Sequence, residues 1–237
     1  MHTTPRVPSA RLLSVLDATL LDDDAPEARV RAFLERVQNA HVAAVCVQPT
    51  WVGMARDIVG VHGISVASVA NFPLGEGGPD DAGEEALALV EAGVDEIDVV
   101  VPIDTLDRDD GAMIRWTLEA VRAAAPGRTI KAILETGALD TPERIRRAAG
   151  AAVAGGADFL KTSTGRHPVG ATPEAVEALL QVMQACPGRV GLKISGGVSD
   201  VDAAVAYWCQ TERAMGPQWC HKKRFRIGAS SLLDALL

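Results

Sequence analysis

Five lysines stand against eighteen arginines in this 237-residue sequence, and three of the five lie inside apolar, β-type runs. They are Lys131 in Thr-Ile-Lys-Ala-Ile-Leu-Glu, Lys161 in Asp-Phe-Leu-Lys-Thr-Ser-Thr-Gly and Lys193 in Val-Gly-Leu-Lys-Ile-Ser-Gly-Gly. Removing an ammonium from water is expensive, so a lysine in such a run needs a reason. A carboxylate partner explains one isolated case; three together point to chemistry. A free lysine holds its proton far above neutral pH, but burial and a second ammonium nearby lower its pKa and leave a nucleophilic amine. Neutral Lys161 can then attack a carbonyl carbon, and the resulting imine accepts electrons when the adjacent C–C bond forms or breaks, with Lys193 supplying the perturbing charge. Such chemistry needs no metal.

An enamine also requires proton transfer. Asp98, in Glu-Ile-Asp-Val-Val-Val-Pro, is a carboxylate in an otherwise apolar strand and is the candidate general acid/base, directly or through a water and Lys193. The simpler role for Asp98 is to neutralise a buried lysine. Small and hydroxyl residues follow the lysines: Thr162-Ser163-Thr164-Gly165-Arg166, then Ser195-Gly196-Gly197, then Gly228-Ala229-Ser230-Ser231 near the end. Backbone N–H groups left open in such turns can surround an anion, so the expected substrate is a small phosphorylated molecule. Gly75-Glu76-Gly77-Gly78 is read as a plain loop, because no Gly-Lys-Ser/Thr follows it. The histidines form no H-E-x-x-H pair. Cys209, Cys220 and His221 lack the short ligand spacing of structural zinc.

The elements that must position these residues alternate. Short β-rich runs are expected near residues 13–17, 43–47, 65–70, 96–101, 129–135, 158–162, 190–194 and 225–228. Helical periodicity lies between them, near 26–40, 51–62, 80–92, 112–125, 142–155, 173–186 and 200–215, with a short last helix at 231–237. Thr141-Pro142-Glu143 and Thr172-Pro173-Glu174 read as helix starts, and Gly63, Gly93, Gly155-Gly156 and Gly188 as helix stops. Eight βα units without a linker favour a single-domain α/β protein, a (β/α)8 TIM barrel over residues 1–237, with an open doubly wound sheet as the other arrangement of the same units. In a barrel, Lys161 and Lys193 sit at the C-terminal ends of consecutive strands and reach one cavity.

Composition sets the remaining limits. With 48% hydrophobic and 23% charged residues, and no apolar run long enough to span a bilayer, the chain reads as a soluble protein without a membrane partner. The beginning has no secretory pattern and contains the acidic run Asp22-Asp23-Asp24, so the cytoplasm is expected. A net charge of -8 repels nucleic acid, so an anionic substrate must be captured by a local positive site. Cys46, Cys186, Cys209 and Cys220 are scattered without a C-x-x-C pair, which fits reduced thiols.

The same residues resemble a known family, the deoxyribose-phosphate aldolases. The resemblance rests on Leu16-Asp17-Ala18-Thr19-Leu20, Ala44 to Pro49, Asn71-Phe72-Pro73-Leu74-Gly75, Asp95 to Val100, Leu134-Glu135-Thr136-Gly137, Gly156 to Gly165, Lys193 to Gly197 and Gly228-Ala229-Ser230-Ser231, in order along nearly the whole chain. It implies reversible cleavage of 2-deoxy-D-ribose 5-phosphate to D-glyceraldehyde 3-phosphate and acetaldehyde without a cofactor. By motif it makes Lys161 the Schiff-base lysine, Lys193 the lysine that tunes it and Asp98 the proton-relay acid. Gly165, Gly196, Gly197, Ser230 and Ser231 would line the phosphate pocket and Cys46 the acetaldehyde end. It also implies a homo-oligomer, a dimer or tetramer. Arg166 stands where some members have lysine, Ser195 where some have alanine, and the tyrosine of some members' C-terminal tail has no counterpart before Leu237, Tyr207 being placed on a helix. Another Schiff-base aldolase of the same fold, or an idle binder of phosphorylated sugars, would share much of this pattern.

Overall fold

The computed structural model describes residues 7–188 and 190–237. Eight parallel strands close into a barrel in sequence order: β1 Leu16–Leu20, β2 Ala44–Val47, β3 Ser65–Ala70, β4 Glu96–Val100, β5 Thr129–Ile133, β6 Phe159–Lys161, β7 Gly191–Ser195 and β8 Phe225–Ala229. The seam between β8 and β1 pairs Leu16 with Ile227 and Asp17 with Gly228. A short helix α1 (Ser9–Leu13) precedes β1. The connections carry α2 (Glu27–Val37), α3 (Val52–Val59), α4 (Pro79–Ala92), α5 (Leu106–Asp109), α6 (Ala112–Ala124), α7 (Pro142–Ala154), α8 (Pro173–Ala185) and α9 (Val201–Met215), and α10 (Leu232–Leu236) follows β8. No helix of the described residues is long and apolar enough to cross a membrane.

Strand periodicity sorts side chains into two compartments. Val45, Val47, Ile97, Val99, Ile130, Ala132, Leu160, Leu192, Ile194 and Ile227 are buried in one apolar layer with helix residues such as Leu34, Leu118, Leu179 and Trp208. The alternate positions point inward. On β2 and β3 they form a small separate cluster with Leu21, made of Cys46, Ala67 and Val69, while Asp17, Glu96, Asp98, Lys131, Lys161, Lys193 and Arg226 are buried charges. Barrel interiors are usually filled by branched apolar side chains, so this charged filling is a local exception.

The first strand departs from expectation. Residues 13–17 were expected to form it, but Ser9–Leu13 is helical and β1 begins at Leu16. The apolar run through Leu12, Leu13, Val15 and Leu16 has no periodicity that separates a helical turn from a strand, and the tertiary pairing of Leu16 with Ile227 decides the boundary. The single-turn α5 was not expected either. The helix starts are as read: Thr141 accepts from the Arg144 N–H at 3.3 Å and Thr172 from the Ala175 N–H at 3.1 Å, each with proline in the first turn. Gly63, Gly93, Gly156 and Gly188 adopt positive φ, whereas Gly155 remains helical.

Thr172→Ala removes one of these caps at a site remote from the inward charges. It should lower unfolding stability by about 1 kcal/mol, read as a lower urea midpoint at unchanged slope, and leave turnover intact.

Candidate active site

A cavity of about 410 Å³ opens at the C-terminal ends of the strands, with Lys161 and Lys193 at its floor. The two lysines are register partners across β6 and β7, and both amines bind one oxygen, Asp98 Oδ2, at 2.7 Å. Asp98 comes from β4 and faces them across β5, whose Lys131 donates to the other oxygen, Oδ1, at 2.6 Å. The chain of contacts continues downward. Lys131 meets Glu96 at 2.7 Å, Lys193 meets Asp17 at 2.6 Å, and the Arg226 guanidinium joins Asp17 at 2.6 Å to Glu96 at 2.8 Å. Lys161, Lys193 and Asp98 are 3%, 1% and 0% exposed, so water screens little of this.

Within the network, four cations (Lys131, Lys161, Lys193, Arg226) face three carboxylates (Asp17, Glu96, Asp98). A buried excess of one positive charge is unfavourable, and the group that yields its proton most easily removes it. Burial pushes the Lys161 pKa down and outweighs the pull of Asp98, with the Lys193 ammonium adding to the depression. Burial also opposes charge on Lys193, yet Asp17 and Asp98 hold its pKa above the ordinary lysine value. Lys131 is raised likewise, by Asp98, Glu96 and Asp17 against burial. Burial favours a neutral Asp98, but Lys131, Lys161 and Lys193 keep its carboxyl well below the usual carboxylate range. Of the two amines that share Asp98, Lys161 is therefore the one that gives up its proton more readily.

The remaining residues singled out by sequence divide into lining and support. Gly165, Arg166, Gly196, Gly197, Ser230 and Ser231 all line the cavity. Gly196 and Gly197 have φ of 82° and 83°, a left-handed pair that few side chains would accept. Thr162 is buried outside the lining: its hydroxyl donates to the Ser195 carbonyl and accepts from the Ser195 N–H, both at 2.9 Å, tying the ends of β6 and β7 together. Cys46 is fully buried in the inner cluster, and burial, with Asp98 next, raises its thiol pKa. The Arg166 guanidinium reaches across the mouth to the Leu21 carbonyl at 2.6 Å and Asp23 at 3.2 Å, lying 5.9 Å from the Phe72 ring centre. Tyr207, on α9, donates to the Ala171 carbonyl at 2.9 Å.

Sequence reading singled out Lys131 but gave it no part, and passed over Asp17, Glu96, Arg226 and Arg29. Arg29 lines the cavity and pairs with Asp22 at 2.7 Å. Glu96 stands two residues before Asp98 and so shares its face, and Arg226 interrupts an apolar strand as Lys193 does. Those signals were available. Gly228, read as the last residue of the final strand, stands in β8 against the Lys193 stem, where an added Cβ would come within 2.9 Å of Lys193 Cε.

Comparison with known proteins agrees with this geometry. Residues 14–236 match the family model described as DeoC/LacD family aldolase. A deoxyribose-phosphate aldolase of Agrobacterium fabrum is 38% identical over 98% of this chain and 92% of its own length. A crystal structure from Toxoplasma gondii, provisionally assigned as a deoxyribose-phosphate aldolase, superposes with a TM-score of 0.90 at 27% identity, covering 96% of this chain and 92% of that one. The deoxyribose phosphate aldolase of Aeropyrum pernix, described as a unique tetramer, superposes at 0.74 with 26% identity over 96% and 90% of the two chains. Sequence match, superposition and the buried amine pair lead to one assignment: the chain belongs to the DeoC/LacD aldolase family.

Proposed function

We propose that this aldolase reversibly cleaves 2-deoxy-D-ribose 5-phosphate to D-glyceraldehyde 3-phosphate and acetaldehyde through a Schiff base on Lys161. The observation that carries the reading is the shared carboxylate oxygen: Asp98 Oδ2 holds a lysine of lowered pKa and a lysine of raised pKa side by side at the floor of one cavity. The neutral Lys161 amine attacks the C1 aldehyde of the open-chain sugar, and loss of water gives the iminium. Removal of the C3 hydroxyl proton then lets the C2–C3 bond break. Its electron pair moves to the iminium, leaving an enamine on Lys161 and releasing glyceraldehyde 3-phosphate. Protonation of the enamine at C2 and addition of water free acetaldehyde and restore the amine.

The proton traffic falls to the Lys193 ammonium and its Asp98 carboxylate. Asp98 is so firmly ionised by its three lysines that its part is acceptor and anchor, with Lys193 or a water carrying the proton. The left-handed Gly196-Gly197 turn and the Ser230-Ser231 segment offer backbone and hydroxyl groups to the 5-phosphate, and Arg29 and Arg166 stand at the same rim. Cys46 lies behind the acetaldehyde end. Exposed Leu87 and Trp116, on the packed helices α4 and α6, support assembly into a homo-oligomer.

Borohydride reduction in the presence of 2-deoxyribose 5-phosphate should add the reduced sugar fragment to Lys161 alone. Peptide mass spectrometry reads the position, and an adduct on Lys193 or Lys131 contradicts the assignment. Lys161→Ala should abolish turnover while still binding the phosphate ester.

The pH dependence follows from the depressed Lys161 pKa: the neutral amine increases as pH rises through that value, so activity has an acid limb below the ordinary lysine range. Lys193→Met removes a like charge and leaves Asp98 Oδ2 to Lys161, and both changes favour the protonated form. The acid limb of borohydride trapping with acetaldehyde should therefore move to higher pH; a limb that stays put or moves down would falsify the tuning role.

Gly228→Ala should displace the Lys193 stem and lower kcat by about tenfold to a hundredfold with a smaller change in KM. Retention of full kcat would mean that Lys193 tolerates displacement.

A further inference from the structure

We propose that the opposite, N-terminal mouth of the barrel binds a small polyanion of the phosphate class. A second cavity of about 860 Å³ opens there, and none of its lining residues is shared with the catalytic cavity. Arg128, Lys222, Lys223 and Arg224 line it, contributed by the turn entering β5 and the segment entering β8. Among the described residues, none of these four forms an ion pair. The two carboxylates of the lining are already engaged: Asp158 with Arg122 at 2.5 Å, and Glu96 with Arg226 and Lys131.

Four unneutralised cations around one concavity repel one another, in a chain whose net charge is -8. Their placement is fixed by the fold. Arg226, itself 5% exposed, donates through Nε to the Lys222 carbonyl at 2.5 Å, which anchors the lysine pair to the barrel interior. Arg224 is held by its Nη1 donating to the Gly188 carbonyl at 2.7 Å, leaving further N–H groups for a ligand. An anion entering this mouth meets positive charge from two separate segments, and its binding relieves their mutual repulsion.

The size and lining select the ligand class. The volume is that of a small-molecule site, too confined for a nucleic acid duplex. Phe159, the large apolar side chain of the lining, is only 4% exposed, so the walls offer no apolar anchor for a peptide. Flexible lysine ammoniums next to arginine forks suit several phosphate groups in a row. Because this mouth lies at the far end of the strands from Lys161, the anion and the sugar substrate occupy the protein together.

Isothermal titration with inorganic tripolyphosphate at low ionic strength tests this. The wild-type chain should show binding that weakens with added salt, and the Lys222→Glu/Lys223→Glu double variant should bind at least about tenfold more weakly, a difference of about 1.4 kcal/mol. Turnover in the absence of tripolyphosphate should be the same in both, which also reports that the variant is folded. Absence of binding to the wild type, equal affinity in the double variant, or displacement of tripolyphosphate by 2-deoxyribose 5-phosphate would each overturn the proposal, the last by placing the anion at the catalytic mouth.

Discussion

An interior that holds Lys131, Lys161, Lys193 and Arg226 against Asp17, Glu96 and Asp98 carries one charge too many for a medium from which water is excluded. Every other feature of the catalytic end can be understood as managing that surplus. The carboxylates are shared rather than paired one to one, so that Asp98 touches three ammoniums and Asp17 and Glu96 bridge to the guanidinium below. Among the described residues Lys161 makes a single ion pair, whereas Lys193 and Lys131 each bind more than one carboxylate. The least supported proton of the network is that of Lys161.

Such a network is not a source of stability in itself, since desolvating seven charges offsets much of what their attraction returns. The surrounding apolar layer supplies the stability instead. The alternate strand positions, from Val45 on β2 to Ile227 on β8, pack under helices into one continuous core. That layer holds the strands at fixed register, and fixed register keeps two amines 2.7 Å from one oxygen. The division is by parity along each strand, so core packing and chemistry are written into alternate residues of the same short segments.

This parity also explains what could be read beforehand. The barrel, the lysine pair and Asp98 were legible because a charge in an apolar strand is visible without knowing its neighbours. Where Lys131 belongs was not legible, since only the β4–β5 pairing of Asp98 with Lys131 reveals that the two face one another. Arg226 lies 209 residues from Asp17, a partnership that local pattern does not encode. Thr162 was grouped with the ligand-facing turn, yet its hydroxyl serves the Ser195 backbone, and it stands between Lys161 and Thr164, which line the cavity, without lining it itself. The boundary of β1 failed for a related reason: its apolar residues fit two local structures, and the closing strand chose between them.

The Asp17–Arg226 contact lies at the junction of the first and last strands, where Leu16 meets Ile227. A slip of β1 by one residue would turn Asp17 into the apolar layer and thrust Ala18 among the ions, a penalty on both sides of the wall. Misaligned closure is thereby rejected by charge as well as by shape. The same ions that surround the two amines thus also act as a proofreader of how the ring is joined.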